Sequence, residues 1–148
     1  MAAPAKKKPS SEAVTAWIRL NRVQTGLLGA IEKDLKAAGH PPLAWYDALL
    51  ELTRVESGAL RPHELETAML LPQYSTSRLV DRLEAAGLVA REPCPGDGRG
   101  QLVVITPAGR ALQRRMWETY AAAIERHVGA KLADADMTRL GELLGKLL

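Results

Sequence analysis

The sequence has few of the residues that would indicate an enzyme, a disulfide-bonded protein or a membrane protein. Its single cysteine, Cys94, excludes an intramolecular disulfide and a cysteine-based zinc site. No apolar run approaches the roughly 18 residues of a membrane-spanning helix, and no apolar stretch follows the first lysines, as it would in a secretory signal. The three histidines have no neighbouring residues in a triad or metal-site pattern. We therefore expect a cytoplasmic chain with no catalytic residues, metal, cofactor or membrane contact.

Positive charge is also not in excess in residues 61–101, the segment where it would best indicate a nucleic-acid partner. The net charge is +3 and the sequence pI is about 9.2, which by itself is weak evidence for a nucleic-acid partner. Residues 61–101 carry five arginines and six carboxylates. A nucleic-acid-binding surface in this segment must therefore depend on where individual arginines point, since bulk charge does not provide it.

The apolar periodicity predicts a mainly α (α+β) fold in one domain, because 148 residues are typical of a single domain. Residues 1–10, with two prolines and three successive lysines, are expected to form a disordered basic tail before a domain over residues 11–148. Helices are predicted at 11–38, 43–55, 63–69, 73–86 and 107–127, with a last helix capped by Asp134 or Asp136. Strands are predicted at 88–91 and 102–105, and Leu60 is expected to bridge to them.

Residues 61–109 predict a helix, a turn, a second helix and a two-stranded ribbon, which is the order of a winged helix-turn-helix. The second helix of this motif places its first residues against base edges in the DNA major groove. Gln and Arg side chains bond adenine and guanine there, and a Thr methyl group meets thymine. The predicted DNA contacts of this helix and the following strand are Gln73, Tyr74, Ser75, Thr76, Ser77, Arg78, Arg82 and Arg91. Ser and Thr also favour helix starts without any DNA role, and that alternative stays open.

The segment between the two strands, P-C-P-G-D-G-R-G, is predicted to be a loop with Arg99 at its tip. An arginine held between Gly98 and Gly100 suits a narrow minor groove, where the negative potential is enhanced. Asp97 is expected to pair with the Arg99 guanidinium and hold it in position. The alternative is an ordinary D-G hairpin turn with a solvated arginine.

The runs S-R-L-V-D-R-L-E-A-A-G-L-V-A-R-E and D-G-R-G-Q-L-V-V-I-T-P-A-G resemble the MarR (multiple antibiotic resistance regulator) family of bacterial transcription factors. The resemblance implies a homodimer formed by helices in 11–38 and 107–148, with the winged helix-turn-helix in 43–106. It also implies a pseudo-palindromic operator and, in many members, release by a small phenolic or carboxylate ligand bound between these two parts. Two positions differ from the family. Pro72 stands where a Ser-type cap is usual, so the start of the recognition helix is expected to shift by about one residue. Cys94 lies in the wing, where we expect it to be incidental.

Candidate residues for such a ligand are aromatic side chains with a few polar neighbours. They are Trp17, Asn21, Trp45, Tyr46 and Asp47. Core packing of the aromatic rings and local capping by Asp47 are the alternative. The first and last helices carry apolar residues that need a partner surface, which favours a dimer.

The predicted function is therefore a sequence-specific, double-stranded-DNA-binding transcriptional regulator. We expect a homodimeric repressor that a small aromatic or carboxylate ligand releases. Two alternatives stay open: a winged-helix module that binds protein rather than DNA, and a DNA binder that responds to no ligand.

Overall fold

A computed structural model describes residues 7–148 and contains six α-helices and a three-stranded antiparallel sheet within that range. The helices are α1 (Ser11–Ala37), α2 (Leu43–Arg54), α3 (Pro62–Ala68), α4 (Thr76–Ala85), α5 (Pro107–His127) and α6 (Asp134–Gly145). The strands are β1 (Ala59–Leu60), β2 (Val89–Cys94) and β3 (Asp97–Ile105), and a short 3₁₀ helix spans Gly129–Lys131. The mainly α winged-helix class is confirmed. Of the predicted tail, residues 1–6 lie outside the described residues, and residues 7–10 precede α1 without regular structure.

The long helices begin and end where their capping residues predict. Ser10 accepts a hydrogen bond from the Ala13 amide at 3.1 Å, so α1 starts at the next residue. Gly39, with φ +79°, follows its last turn in the left-handed region. Thr106 caps α5 in the same way, accepting from the Gly109 amide at 3.1 Å.

Helix α2 contributes to both hydrophobic cores found within residues 7–148. Leu49 and Leu52 pack with α3, α4 and the sheet, whereas Leu43 and Tyr46 pack with α1 and α5. Glu32 of α1 accepts from the Leu43 amide at 3.0 Å and so caps α2. Helix α2 therefore joins the two cores.

The sheet has the order β1-β3-β2, and β1 pairs with β3 through Ala59–Val104 and Leu60–Val103. This confirms the predicted bridge at Leu60. At the other end of the wing, a Cβ on Gly109 would lie 2.2 Å from the Leu88 carbonyl oxygen. Only glycine fits at this position, so the start of α5 can pack directly against the base of the wing.

Two predicted helix starts are wrong. Helix α4 begins at Thr76 rather than Gln73, because Ser75 supplies the cap by accepting from the Arg78 amide at 3.2 Å. Pro72 therefore does not stand at the cap position. Neither Asp134 nor Asp136 caps α6; both lie in its first turn, after Ala133, where their charge suits the helix dipole.

Large apolar side chains are exposed on α1 and α6. The first half of α1 exposes Val14, Trp17, Ile18 and Val23, and α6 has no buried residue. Its exposed leucines are Leu140, Leu143 and Leu144, followed by Leu147 and Leu148 beyond the helix. Within residues 7–148, none of the helices combines the length and hydropathy of a membrane span.

Candidate nucleic-acid interface and adjoining cavity

The first turns of α4 present polar side chains to solvent while the opposite face packs into the core. Leu79, Val80 and Leu83 are buried. Ser77, Arg78 and Arg82 are exposed, and Tyr74, in the turn before the helix, is fully exposed. These side chains have the type and placement that the sequence predicts for base and phosphate contacts.

Thr76 does not fit the predicted contact set. Its side chain is buried at 6% exposure, and its hydroxyl has no hydrogen-bond partner among the described residues. The one-turn spacing to Leu79 and Val80 places it on the core face of α4. The expectation that its methyl group meets a base is therefore wrong for this conformation. The Gln73 side chain already has a partner within the chain, because its amide nitrogen donates to the Leu71 carbonyl at 3.2 Å.

The wing strands run further than predicted, and Arg99 is not at the tip. The turn is formed by Pro95 and Gly96, whose φ is +78°, and β3 begins at Asp97. Cys94 pairs with Asp97, whereas Pro93 pairs with Gln101. The residues between them on β3, Gly98–Gly100, therefore form a bulge that displays Arg99 beside the tip.

Asp97 holds the wing differently from the prediction. Its Oδ1 accepts from the Arg99 amide at 3.1 Å, and its Oδ2 lies 3.8 Å from Nη1 of Arg61, not on the Arg99 guanidinium. Nη2 of Arg61 also donates to Cys94 Sγ at 3.2 Å. Sequence reasoning missed Arg61, which precedes α3 and is far from the wing along the chain. Its one sequence signal is a basic residue just before the Pro62 helix start.

Arg91 is occupied by carboxylates of α4. It donates to Asp81 at 2.7 Å and to Glu84 at 2.9 Å, and the hydrogen bond to Asp81 is the largest cause of the raised pKa of Arg91. Arg91 therefore ties β2 to α4, and its contact with DNA stays a prediction. Apart from Arg91, Asp81 and Glu84, residues 61–101 carry four arginines and four carboxylates.

A cavity of about 230 Å³ lies between α2, the α3–α4 turn and α5. Its lining residues are Leu43, Tyr46, Asp47, Leu50, Glu51, Arg54, Ala68, Leu70, Leu71 and Tyr120. Asp47 is buried, and its two carboxylate oxygens accept from the amides of Leu70 and Leu71 at 3.0 and 2.7 Å. The cavity wall and the turn that leads toward α4 therefore share one side chain.

Three aromatic rings pack together at this cavity. The ring centroids of Tyr46 lie 5.1 Å from Tyr120 and 6.1 Å from Trp117, and those of Trp117 and Tyr120 lie 5.8 Å apart. Burial raises the pKa of both tyrosines. Sequence reasoning missed Trp117, although its spacing of three from Tyr120 on a helix is the signal that pairs them.

A family model described as "MarR family" matches residues 41–100, which run from α2 into the wing. The solved structure of AbsC, a MarR family transcriptional regulator from Streptomyces coelicolor, is 31% identical; the match covers 96% of this chain and 95% of that chain, with a TM-score of 0.80. The chain belongs to the MarR family. The MarR relatives are transcriptional regulators rather than enzymes.

Two further solved structures and one curated relative extend this similarity. Sco3205 from Streptomyces coelicolor, solved in complex with DNA, is 26% identical over 98% of this chain and 91% of its own, with a TM-score of 0.86. BpsR from Bordetella bronchiseptica, whose structure concerns regulation of DNA binding by 6-hydroxynicotinic acid, is 25% identical over 95% and 96%, with a TM-score of 0.77. The match to the curated Salmonella typhimurium MarR, 29% identical, spans 62% of this chain and 64% of that protein.

The five predicted ligand residues are not all brought together. Only Tyr46 and Asp47 line the cavity. Trp45 lines a separate groove beside Gln73, Tyr74 and the arginines of α4. Trp17 is 67% exposed on α1, and Asn21 donates to the Trp17 carbonyl at 2.8 Å. Within residues 7–148, no three metal-ligating side chains form a group.

Proposed function

We propose that the chain is a sequence-specific DNA-binding transcriptional regulator that acts as a repressor. Helix α4 enters the major groove, and Arg99 reaches the adjacent minor groove. The observation that carries the proposal is the exposed polar start of α4, with Ser77, Arg78 and Arg82, next to a wing bulge that displays Arg99. The DNA complex of Sco3205, which shares the fold over nearly the whole chain, supports it.

The DNA contacts divide by chemistry. Arg78, at the third position of α4, is placed for a bidentate contact to guanine. Arg82, one turn later, and Ser77 are placed for phosphate or base contacts. Arg78, Arg82 and Arg99 make no ion pair within the described residues, in contrast to Arg91.

The regulator is proposed to be a homodimer built from α1, α5 and α6. Soluble monomers rarely expose as many large apolar side chains as α1 and α6 do here. In the proposed dimer, a second copy of the chain covers them. A two-fold dimer places two α4 helices about one DNA turn apart. We therefore expect a pseudo-palindromic operator.

Release is proposed to follow from a small aromatic ligand in the 230 Å³ cavity. The cavity is lined by Leu70 and Leu71, whose amides are held by Asp47. A ligand that displaces this turn shifts the start of α4, and with it Arg78 and Tyr74. The regulation of BpsR by an aromatic ligand supports an effector of this size class.

Selection of bound DNA from a random pool tests the proposal. We expect recovery of a two-fold-symmetric sequence, and mobility-shift affinity for it that falls steeply with salt, as counterion release requires. Recovery of no consensus, together with no salt-dependent DNA binding, would instead favour a winged-helix protein-interaction module. The observation that favours this alternative is the nearly neutral charge of residues 61–101.

A further inference from the structure

We infer that the cavity beside the α3–α4 turn takes small aromatic cations, such as protonated aromatic amines, in preference to aromatic carboxylates. This inference rests on the proposed function, because it names the charge class of the effector at that site. It departs from the sequence expectation, which includes carboxylate ligands.

The charges that line the cavity are unequal. Two carboxylates, Asp47 and Glu51, face one cation, Arg54. Asp47 is 5% exposed and the Glu51 side chain 13%, whereas the Arg54 side chain is 66% exposed. Solvent therefore screens the cation much more than the acids, and the interior of the cavity favours positive charge.

Glu51 has the greater unused capacity to accept hydrogen bonds. Its ion pair with Arg54 is 3.5 Å long, beyond the 2.7–2.9 Å typical of a charge-assisted hydrogen bond. Asp47, in contrast, already accepts from two main-chain amides. A ligand ammonium group would give Glu51 the close donor that Arg54 does not provide.

The remaining walls suit an aromatic ring. Tyr46 and Tyr120 line the cavity, and Trp117 packs against both. Leu43, Leu50, Leu70 and Leu71 complete an apolar lining. Aromatic side chains attract cations through their ring quadrupole, and a volume of about 230 Å³ is below the usual drug-sized pocket. The ligand class is therefore a single ring with a short cationic substituent.

Titration calorimetry of the full chain at pH 7 with benzylamine and benzamidine, against benzoate and phenylacetate, tests the inference. We expect the two cations to bind and the two carboxylates to bind at least tenfold more weakly. Glu51→Gln should weaken cation binding by about tenfold to a hundredfold, the effect of losing a hydrogen bond between charged groups. The matched control is Glu56→Gln, which removes a carboxylate from an exposed position on the chain outside the cavity and should leave cation binding unchanged.

Equal or tighter binding of the carboxylates, unchanged cation affinity in Glu51→Gln, or no binding by any of the four probes would overturn the inference. Operator affinity without ligand is measured on the same samples. A chain that binds its operator but not the cations contradicts only the ligand class. A chain that binds cations but no DNA contradicts the proposed regulator.

Discussion

Arg99 lies in a bulge whose two glycines have different surroundings. A Cβ on Gly98 would meet nothing within 4 Å, whereas one on Gly100 would lie 2.7 Å from Oδ2 of Asp97 and 3.1 Å from Cβ of Cys94. A side chain at Gly100 would therefore press on the Asp97 carboxylate, which accepts from the Arg99 amide. The composition of residues 93–100 predicts a loop, because its glycines and prolines disfavour strands. In the structure, the register between β2 and β3 pairs Pro93 with Gln101 and Cys94 with Asp97, so the strands continue to the turn.

Replacing Arg99 by Ala is expected to weaken operator binding by about 1–3 kcal/mol, because a groove contact is lost. A mobility-shift titration at fixed salt measures the change. Lys131→Ala serves as the control, since it removes one positive charge from the 3₁₀ helix outside the winged helix. Equal affinities of Arg99→Ala and the unaltered chain would exclude a DNA contact by this arginine.

Gly100→Ala should weaken operator binding although it removes no charge and no polar group. The added methyl group forces Asp97 or Cys94 to move, and this shifts the bulge that carries Arg99. We expect a loss of at least half of the free energy lost in Arg99→Ala, of order 1 kcal/mol. Gly98→Ala, which adds the same methyl group in open space, should bind normally, and a matching loss there would show that the clash at Gly100 is irrelevant.

The α3–α4 turn lies between the cavity and the recognition helix α4. The sequence predicts both helices of this motif but not the start of α4, because Ser75, Thr76 and Ser77 are all acceptable caps and the choice depends on which of them the core buries. The sequence predicts Asp47 as a ligand candidate. It does not reveal that the carboxylate accepts hydrogen bonds from two amides more than twenty residues away. Such long-range hydrogen bonds are set by tertiary packing and leave no local pattern.

Asp47→Ala is expected to destabilise the fold by about 2–6 kcal/mol, because two amides lose their acceptor at about 1–3 kcal/mol each. Asp47→Asn should cost less, since its carbonyl oxygen still accepts one hydrogen bond. Urea denaturation followed by circular dichroism measures both variants. Identical stabilities of Asp47→Ala and the unaltered chain would show that the turn does not depend on this carboxylate, and would remove the proposed link from cavity to α4.

A single chain leaves large apolar side chains of α1 and α6 exposed to solvent. The apolar spacing of α1 and α6 is visible in the sequence, and the structure places these residues in solvent for an isolated chain. The aromatic group at the cavity is different, because Tyr46 and Trp117 are separated by most of the winged helix and meet only through packing of α2 on α5. Sequence spacing thus predicts the exposed apolar faces of α1 and α6 better than it predicts the composition of the cavity.

Leu143→Glu should convert the proposed dimer to a monomer. Leu143 is 49% exposed on α6, and a charge there would be buried without a partner when a second copy covers the helix, at a cost of several kcal/mol. Sedimentation velocity measures the mass, and Glu142→Gln, a neighbouring exposed change on the same helix, is the control. Because a dimer engages both operator half-sites at once, the monomer should lose affinity for the full operator far more than for a single half-site. A Leu143→Glu chain that stays dimeric, or that binds the full operator as tightly as before, would place the subunit interface away from α6.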